Sequence, residues 1–287
     1  MTIQDFGKDE ALTANIYVHS FLANSGQYEK SPHYRPENRS KVHGIVKNLI
    51  SHLSGQSNLK ALDFGCGTGF MIDIIHDRFA EVHGIDITRD MMKFVDLSPG
   101  NITLHEGMAE KTSFPDESFD FACAYSFMDH LFDYGLFLKE AYRVLKKGGI
   151  FYSDLNPNRE FAVAIKSVEA NSSYSAKLPP IITREIEGTL HNGEYYRRQF
   201  GMDPEQLEKA EPIKSRDLGF LADDVLAMAR RIGFAQSSVE FDWFLGQGKM
   251  MQGGESSANI EIVNRYLTSA LPISSCLFKY LRFVFVK

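Results

Sequence analysis

The apolar positions of this chain change their period along its length. Near the start they recur every three or four places: Leu12, Ile16, His19 and Leu22 or Ala23 between Asp9 and Ala23, then Val42, Ile45, Val46, Leu49 and Ile50 between Arg39 and Leu53. That spacing predicts two amphipathic helices, joined by an aromatic-rich loop that Pro32 and Pro36 pin. From residue 60 short continuous apolar runs alternate with helical stretches. Strands are expected at Lys60 to Phe64, Glu81 to Asp86, Ile102 to His105, Phe119 to Tyr125 and Gly149 to Leu155. Helices are expected at Gly69 to Phe79, Arg89 to Val95 and Tyr134 to Leu145. The last of these runs into Lys146-Lys147-Gly148-Gly149, cations at the dipole's negative end followed by a glycine stop. Alternation of this kind belongs to a parallel sheet covered on both faces.

The regularity breaks after the fifth strand. Residues 157–220 hold a polar stretch, Asn171 to Ser175, then Pro179-Pro180, then two segments, Ile181 to Leu190 and Glu194 to Phe200, on either side of His191-Asn192-Gly193. The Asn-Gly signal between them predicts a β-hairpin. The α/β pattern then resumes with a helix from Asp223 to Ile232 stopped by Gly233, a strand from Ser237 to Trp243, a helix from Ile260 to Ala270 and a strand from Tyr280 to Val286. The expected architecture is a Rossmann-like, doubly wound α/β sheet. Residues 59–156 form its ligand-binding core and 221–287 complete it, while 1–58 form an N-terminal helical cap and 157–220 an inserted cap. An insertion after the carboxyl end of a strand stands where open α/β sheets bind ligands.

Between the first strand and its helix lies Asp63-x-Gly65-x-Gly67-x-Gly69. Glycines at alternate positions let the backbone turn sharply and let a ligand lie against it without a Cβ in the way. Asp86 closes the second strand about twenty residues on, where a carboxylate accepts ribose hydroxyls. Together these read as a nucleoside-cofactor site. The dinucleotide fingerprint G-x-G-x-x-G requires its third glycine at position 70, which is Phe70; a nicotinamide dinucleotide is disfavoured.

Composition narrows the partners. The 287 residues are 44% hydrophobic and 24% charged, with a net charge of −6, values of a soluble globular protein. That acidity argues against nucleic acid or an anionic membrane as the main partner. Cys66, Cys123 and Cys276 are far apart, and no Cys/His cluster suggests a metal, so none is expected. Cys66 and Cys123 fall inside the glycine turn and an apolar strand, where packed thiols are the expectation. No apolar run reaches the roughly 18 residues that span a bilayer, and no leader is visible in the polar, acidic residues 1–10; a reducing, cytoplasmic setting fits.

The spacing of Asp63, Gly65, Gly67 and Gly69, with Asp86 in register, resembles motif I of the class I S-adenosylmethionine-dependent methyltransferases. Gly107-Met108-Ala109-Glu110 with Phe114-Pro115-Asp116, and Glu140-x-x-Arg143-Val144-Leu145-Lys146-x-Gly148-Gly149, are similar to blocks of the small-molecule, ubiquinone/menaquinone-biosynthesis type. The resemblance implies a seven-stranded sheet with an antiparallel last strand and S-adenosylmethionine as cofactor. It implies that Gly65, Gly67 and Gly69 line the methionine and ribose side, with Asp63 supporting that loop or the methionine amine. Asp86 would hold the ribose hydroxyls, Ile87 would pack on adenine, Ala109 would donate its backbone N–H to the ring, and Ala124 and Tyr125 would approach the methionine tail. Met108 stands where the family has an Asp that accepts from the adenine amino group, so Glu110, a backbone carbonyl or packing must take over.

Methyl transfer is an in-line displacement with little developing anion, so placing the nucleophile can provide most of the acceleration, and a hydroxyl nucleophile also needs a base. His130, after the fourth strand, is the first candidate for that base, with Asp129 as partner; the alternative is that it caps or packs under the loop. Tyr17, Tyr28, His33 and Tyr34 are substrate candidates, against the alternative of a stapled surface loop. Tyr195, Tyr196, Arg197 and Arg198 could meet an acidic substrate, but read rather as one packed and one solvated strand face, and Met91, Met92, Met250 and Met251 as packing. The function expected is methyl transfer to an oxygen or nitrogen of a small molecule. A methyltransferase of macromolecules is disfavoured by the charge and by Ala124-Tyr125-Ser126-Phe127, which replaces the Asn/Asp-Pro-Pro-aromatic tetrapeptide of nucleobase amino methylation. A non-catalytic cofactor binder would show a degraded motif I or no ribose acid, and both are intact.

Overall fold

The computed structural model of the chain describes residues 6–26, 32–53, 57–171, 178–252 and 257–287. Two helices, α1 (Lys8–Asn24) and α2 (Pro36–Leu49), precede β1 (Lys60–Phe64), α3 (Phe70–Ile75), β2 (Glu81–Asp86), α4 (Arg89–Met92), β3 (Ile102–Glu106), β4 (Phe119–Tyr125), α5 (Tyr134–Val144) and β5 (Leu145–Pro157). Five helices follow: α6 (Arg159–Ala170), α7 (Pro180–Leu190), α8 (Asn192–Phe200), α9 (Pro204–Ala210) and α10 (Pro212–Asp217). The chain continues through α11 (Ala222–Ile232), β6 (Gln236–Phe244), α12 (Gln247–Gln252), α13 (Ser257–Ser269) and β7 (Phe278–Val286).

The strands form one seven-stranded sheet in the order β3-β2-β1-β4-β5-β7-β6. β1 to β5 are parallel, and β7 runs antiparallel between β5 and β6. The apolar run of β4 explains its central place, since all seven of its residues are buried. Phe137, Leu138, Ala141 and Val144 of α5 and Val225 and Ala229 of α11 cover one face. Val42 and Val46 of α2 with Met71, Ile74 and Ile75 of α3 cover the other. Each of the valine, leucine, isoleucine, methionine and phenylalanine side chains among these contributes about 1.5–3 kcal/mol when fully buried. The order reverses between β1 and β4, and the crevice at their carboxyl ends is the switch point where ligands bind in such sheets.

Three expectations need correcting. Residues 181–200 form helices α7 and α8, not a hairpin: Ile182, Ile186 and Leu190 recur every fourth place and pack against Phe161 and Ile165 of α6, a helical period that outweighs one Asn-Gly pair. Lys146 to Gly149 do not end a helix. They open β5, where Lys146 pairs with Asp120 at 2.8 Å and the Gly148 N–H donates to the Lys287 carbonyl. On α1 the buried stripe is Ala11, Ala14, Asn15, Val18 and Leu22, while Ile16 is exposed. The expected loop around Tyr28 and most of the polar stretch from Asn171 to Ser175 lie outside the described residues. Among the described residues no helix is long and apolar enough to cross a membrane.

Behind the crevice a charged network ties the layers together. The Arg282 guanidinium of β7 bonds Asp154 of β5 at 2.8 Å, Glu240 of β6 at 2.7 Å and Asp242 of β6, and Lys41 of α2 bonds Asp242 at 2.6 Å. Arg282, Asp154 and Asp242 are buried but mutually paired, the condition under which burial is tolerated, while Lys41 and Glu240 reach solvent.

Candidate functional site

At the end of β1 the chain turns back on the neighbouring strand. The Gly65 N–H donates to the Ile85 carbonyl at 2.8 Å, and Gly65 has φ +63°. A Cβ there would collide with the Phe127 ring, so both dihedral and close approach require glycine. The Gly67 N–H donates to one Asp86 oxygen at 2.9 Å and the Thr88 N–H to the other at 2.7 Å. The carboxylate is thereby fixed at the tip of β2, and each oxygen keeps acceptor capacity. Gly69, with φ +93°, leads into α3.

Asp63 lies beneath this turn. It is buried, accepts from the Cys123 thiol at 3.4 Å, and is pushed up to about 8 by burial, with the nearby Asp86 adding to the rise. Burial also pushes the Cys66 and Cys123 thiols well up, so both are packed side chains, as expected.

The crevice is a cavity of about 360 Å³, within the range of small-ligand clefts. The glycine turn and Asp86 form its floor. Asn15 and His19 of α1, Tyr196 of α8, Lys214 of α10 and Tyr280 of β7 are among its walls. A smaller pocket of about 40 Å³ adjoins it, sharing Gly65, Asp86 and Ile87 and adding Gly107, Ala109 and Glu110. Lys8 and Leu12 of α1 border that pocket, and Lys8 pairs with Glu110 at 3.4 Å.

Of the expected cofactor residues, Asp63, Gly65, Gly67, Asp86, Ile87 and Tyr125 face the larger cavity, and Ala109 faces the smaller. Gly69 supports the turn without lining either. Met108 borders neither. The Ala124 side chain is fully buried in the core on the α5 face, because successive strand residues point to opposite faces and Tyr125 takes the cavity side. Tyr125 stacks on Phe70 with ring centroids 4.5 Å apart, and Tyr34 meets the same ring edge-on. The three rings give the cavity an aromatic wall, a surface that attracts cations.

The expected substrate residues divide. His33 and Tyr34 line the cavity; Tyr17 is exposed and outside it; Tyr28 lies outside the described residues. Burial drives the His33 ring down to about 3, so it is neutral, and its Nε2 meets the Tyr280 hydroxyl at 3.3 Å.

His130 lies on a single 3-10 turn, Met128–His130, and faces the cavity. Its Nδ1 donates to the Ala210 carbonyl at 2.9 Å, which leaves the lone pair of the neutral ring on Nε2. Asp129 is not the orienting partner. Its Oδ1 stands 3.9 Å from His130 Nε2, too far for a hydrogen bond, and has no hydrogen-bond partner among the described residues. Burial and Glu211 hold the Asp129 carboxyl above its ordinary range, against the pull of His130. His19 meets the His130 ring edge-on at 4.6 Å, and the Asn15 amide donates to the same Ala210 carbonyl at 3.1 Å. Asn15, Glu211, Lys214, Lys279 and Tyr280 were not singled out from the sequence. Only Asn15 left a trace there, a polar residue four places from His19 on a helix.

A family model described as a methyltransferase domain matches residues 62–153. A probable S-adenosylmethionine-dependent methyltransferase of Mycolicibacterium smegmatis is 28% identical over 50% of this chain and 52% of its own length. A demethylmenaquinone methyltransferase of Anoxybacillus flavithermus is 32% identical over 36% of this chain and 47% of its own. The chain thus spans about half the length of the curated relatives it matches. A solved S-adenosylmethionine-dependent methyltransferase from Mesorhizobium loti, 15% identical, superposes over 84% of this chain and 96% of its own with a TM-score of 0.51, a likeness of fold.

Proposed function

The chain belongs, through the domain at residues 62–153, to the class I S-adenosylmethionine-dependent methyltransferases, and from that premise we propose that it methylates an oxygen or nitrogen of a small-molecule acceptor. S-adenosylmethionine is the cofactor, and it supplies an electrophilic methyl group on a sulfonium. The observation that carries the reading is that the glycine turn, Asp86 and His130 open into one cavity. Helices α1, α8, α9 and α10 wall it, which favours a small acceptor over a macromolecule. In this reading residues 1–58 and 157–220 are caps on a core of 59–156 and 221–287.

The residues present fit the cofactor. Asp86 is pinned by two backbone N–H groups with acceptor capacity to spare for the ribose hydroxyls, and Gly65 and Gly67 keep the turn free of Cβ atoms. Ile87 and Ala109 border the smaller pocket and hold the adenine by packing and the Ala109 N–H. Glu110 is engaged by Lys8, and Met108 takes no part. Tyr34, Phe70 and Tyr125 give the cationic end an aromatic wall, while Asp63 stands under the methionine side. His130 Nε2 takes the proton of an acceptor hydroxyl; its lone pair is aimed by the Ala210 carbonyl, and a neutral amine needs no such step.

The first test is calorimetric titration with S-adenosylhomocysteine. Asp86→Ala removes the acceptor of both hydroxyls, and the affinity is expected to weaken by about 1.5–3 kcal/mol. An unchanged affinity would place the ribose elsewhere.

A further inference from the structure

Two half-buried lysines face the cavity from parts of the chain remote from motif I. Lys214 comes from α10 and Lys279 from the start of β7. Neither borders the smaller pocket at Ala109, so both stand on the acceptor side. Each holds a glutamate: Lys214 Nζ lies 2.7 Å from Glu211, and Lys279 Nζ lies 3.1 Å from Glu185.

The two pairs are not equivalent. Glu211 holds Lys214 above the ordinary lysine range. Lys279 falls below that range in spite of Glu185, because burial and the positive charges of Lys214 and Arg184 outweigh the carboxylate. An ammonium has three donors; Lys279 Nζ bonds Glu185 and stands 5.8 Å from the centroid of the Tyr280 ring, which leaves donor capacity toward the cavity. A long apolar acceptor would strip the remaining water from two ammonium groups without replacing its hydrogen bonds, which is costly. An anion would make short, charge-assisted bonds there.

We propose that the methyl acceptor carries an anionic group, a carboxylate or a phosphate, that docks on Lys279 with Lys214 and Tyr280 beside it. The site selects small, water-soluble anions. This rests on the methyltransferase reading.

The test uses the full chain saturated with S-adenosylhomocysteine and titrated with benzoate, phenyl phosphate and their neutral counterpart benzamide at fixed ionic strength. At least one anion is expected to bind about tenfold or more tightly than benzamide, and the better of the two identifies the group. Lys279→Met removes that preference and Lys279→Arg keeps it, with S-adenosylhomocysteine binding unchanged in both. Should Lys279→Met fail to fold, Lys214→Met is read in the same way. Equal binding of benzamide, no binding of any probe, or a preference that survives Lys279→Met overturns the proposal. Failure of S-adenosylhomocysteine to bind the wild-type chain overturns the methyltransferase reading instead, and the three probes are then titrated against the ligand-free chain.

Discussion

His130 and Asn15 meet on one acceptor, the Ala210 carbonyl, although 115 and 195 residues separate Asn15 from the other two positions' neighbourhoods in the chain. The carbonyl does for His130 what Asp129 was expected to do, fixing which ring nitrogen carries the proton. It orients the ring as a neutral acceptor, with no charge of its own. His130→Ala is expected to lower turnover by a factor on the order of 10²–10⁴ in a labelled-methyl transfer assay, with S-adenosylhomocysteine affinity nearly unchanged. Wild-type turnover in that variant would leave His130 as part of the wall. Asp63, Gly65, Gly67 and Asp86 were legible in the sequence because local spacing alone places them at two adjacent strand ends. Lys214, Lys279 and Glu211 were not. Glu211 and Lys214 form a local pair three residues apart, but its meeting with Lys279 is a product of long-range folding that nothing in the chain marks.

At the scale of elements, legibility followed how much of each segment's periodicity came from burial. β1 and β4 are largely apolar and buried, and the ranges expected for them and for β2 are those observed. In α1 the largest apolar residues misled: Ile16 is exposed, while small Ala11 and Ala14 let the helix lie close to α9 around Leu207 and Ala210. In α7 the Asn-Gly pair was weighed above a fourfold repeat of Ile182, Ile186 and Leu190. Ile186 is buried between α6 and α7 with Phe161 and Ile165. Ile186→Ala is expected to cost about 2–5 kcal/mol, read as a fall in the urea midpoint. A loss below about 0.5 kcal/mol, typical of surface changes, would mean that the seam does not carry the cap.

On the whole-molecule scale, the family match ends at residue 153, yet the cavity depends on what lies outside it. Residues 1–58 contribute His19, His33 and Tyr34, the helices after β5 contribute Tyr196 and Lys214, and β7 contributes Lys279 and Tyr280. In the proposed reading the core carries the cofactor residues, while the surrounding segments shape the acceptor side. That division explains why the cofactor was legible from motif spacing and the acceptor's chemistry was not.

In the proposed cofactor pose, Asp63 makes the site a proton counter. In the ligand-free chain its carboxyl is held up to about 8 from an ordinary 3.8, so between those values the folded chain holds a proton that the unfolded chain has lost. Stability of the ligand-free chain therefore falls as pH rises through that window. A cationic methionine amine seated against Asp63 favours the ionised form, so binding expels the proton and affinity climbs with pH up to about 8 before levelling. Calorimetry at pH near 7 in buffers of different ionisation enthalpy should give an apparent binding enthalpy that varies with the buffer, its slope approaching one released proton. Asp63→Asn should abolish that slope. A buffer-independent enthalpy in the wild-type chain would move the amine away from Asp63, and with it the direction in which the methyl group is presented.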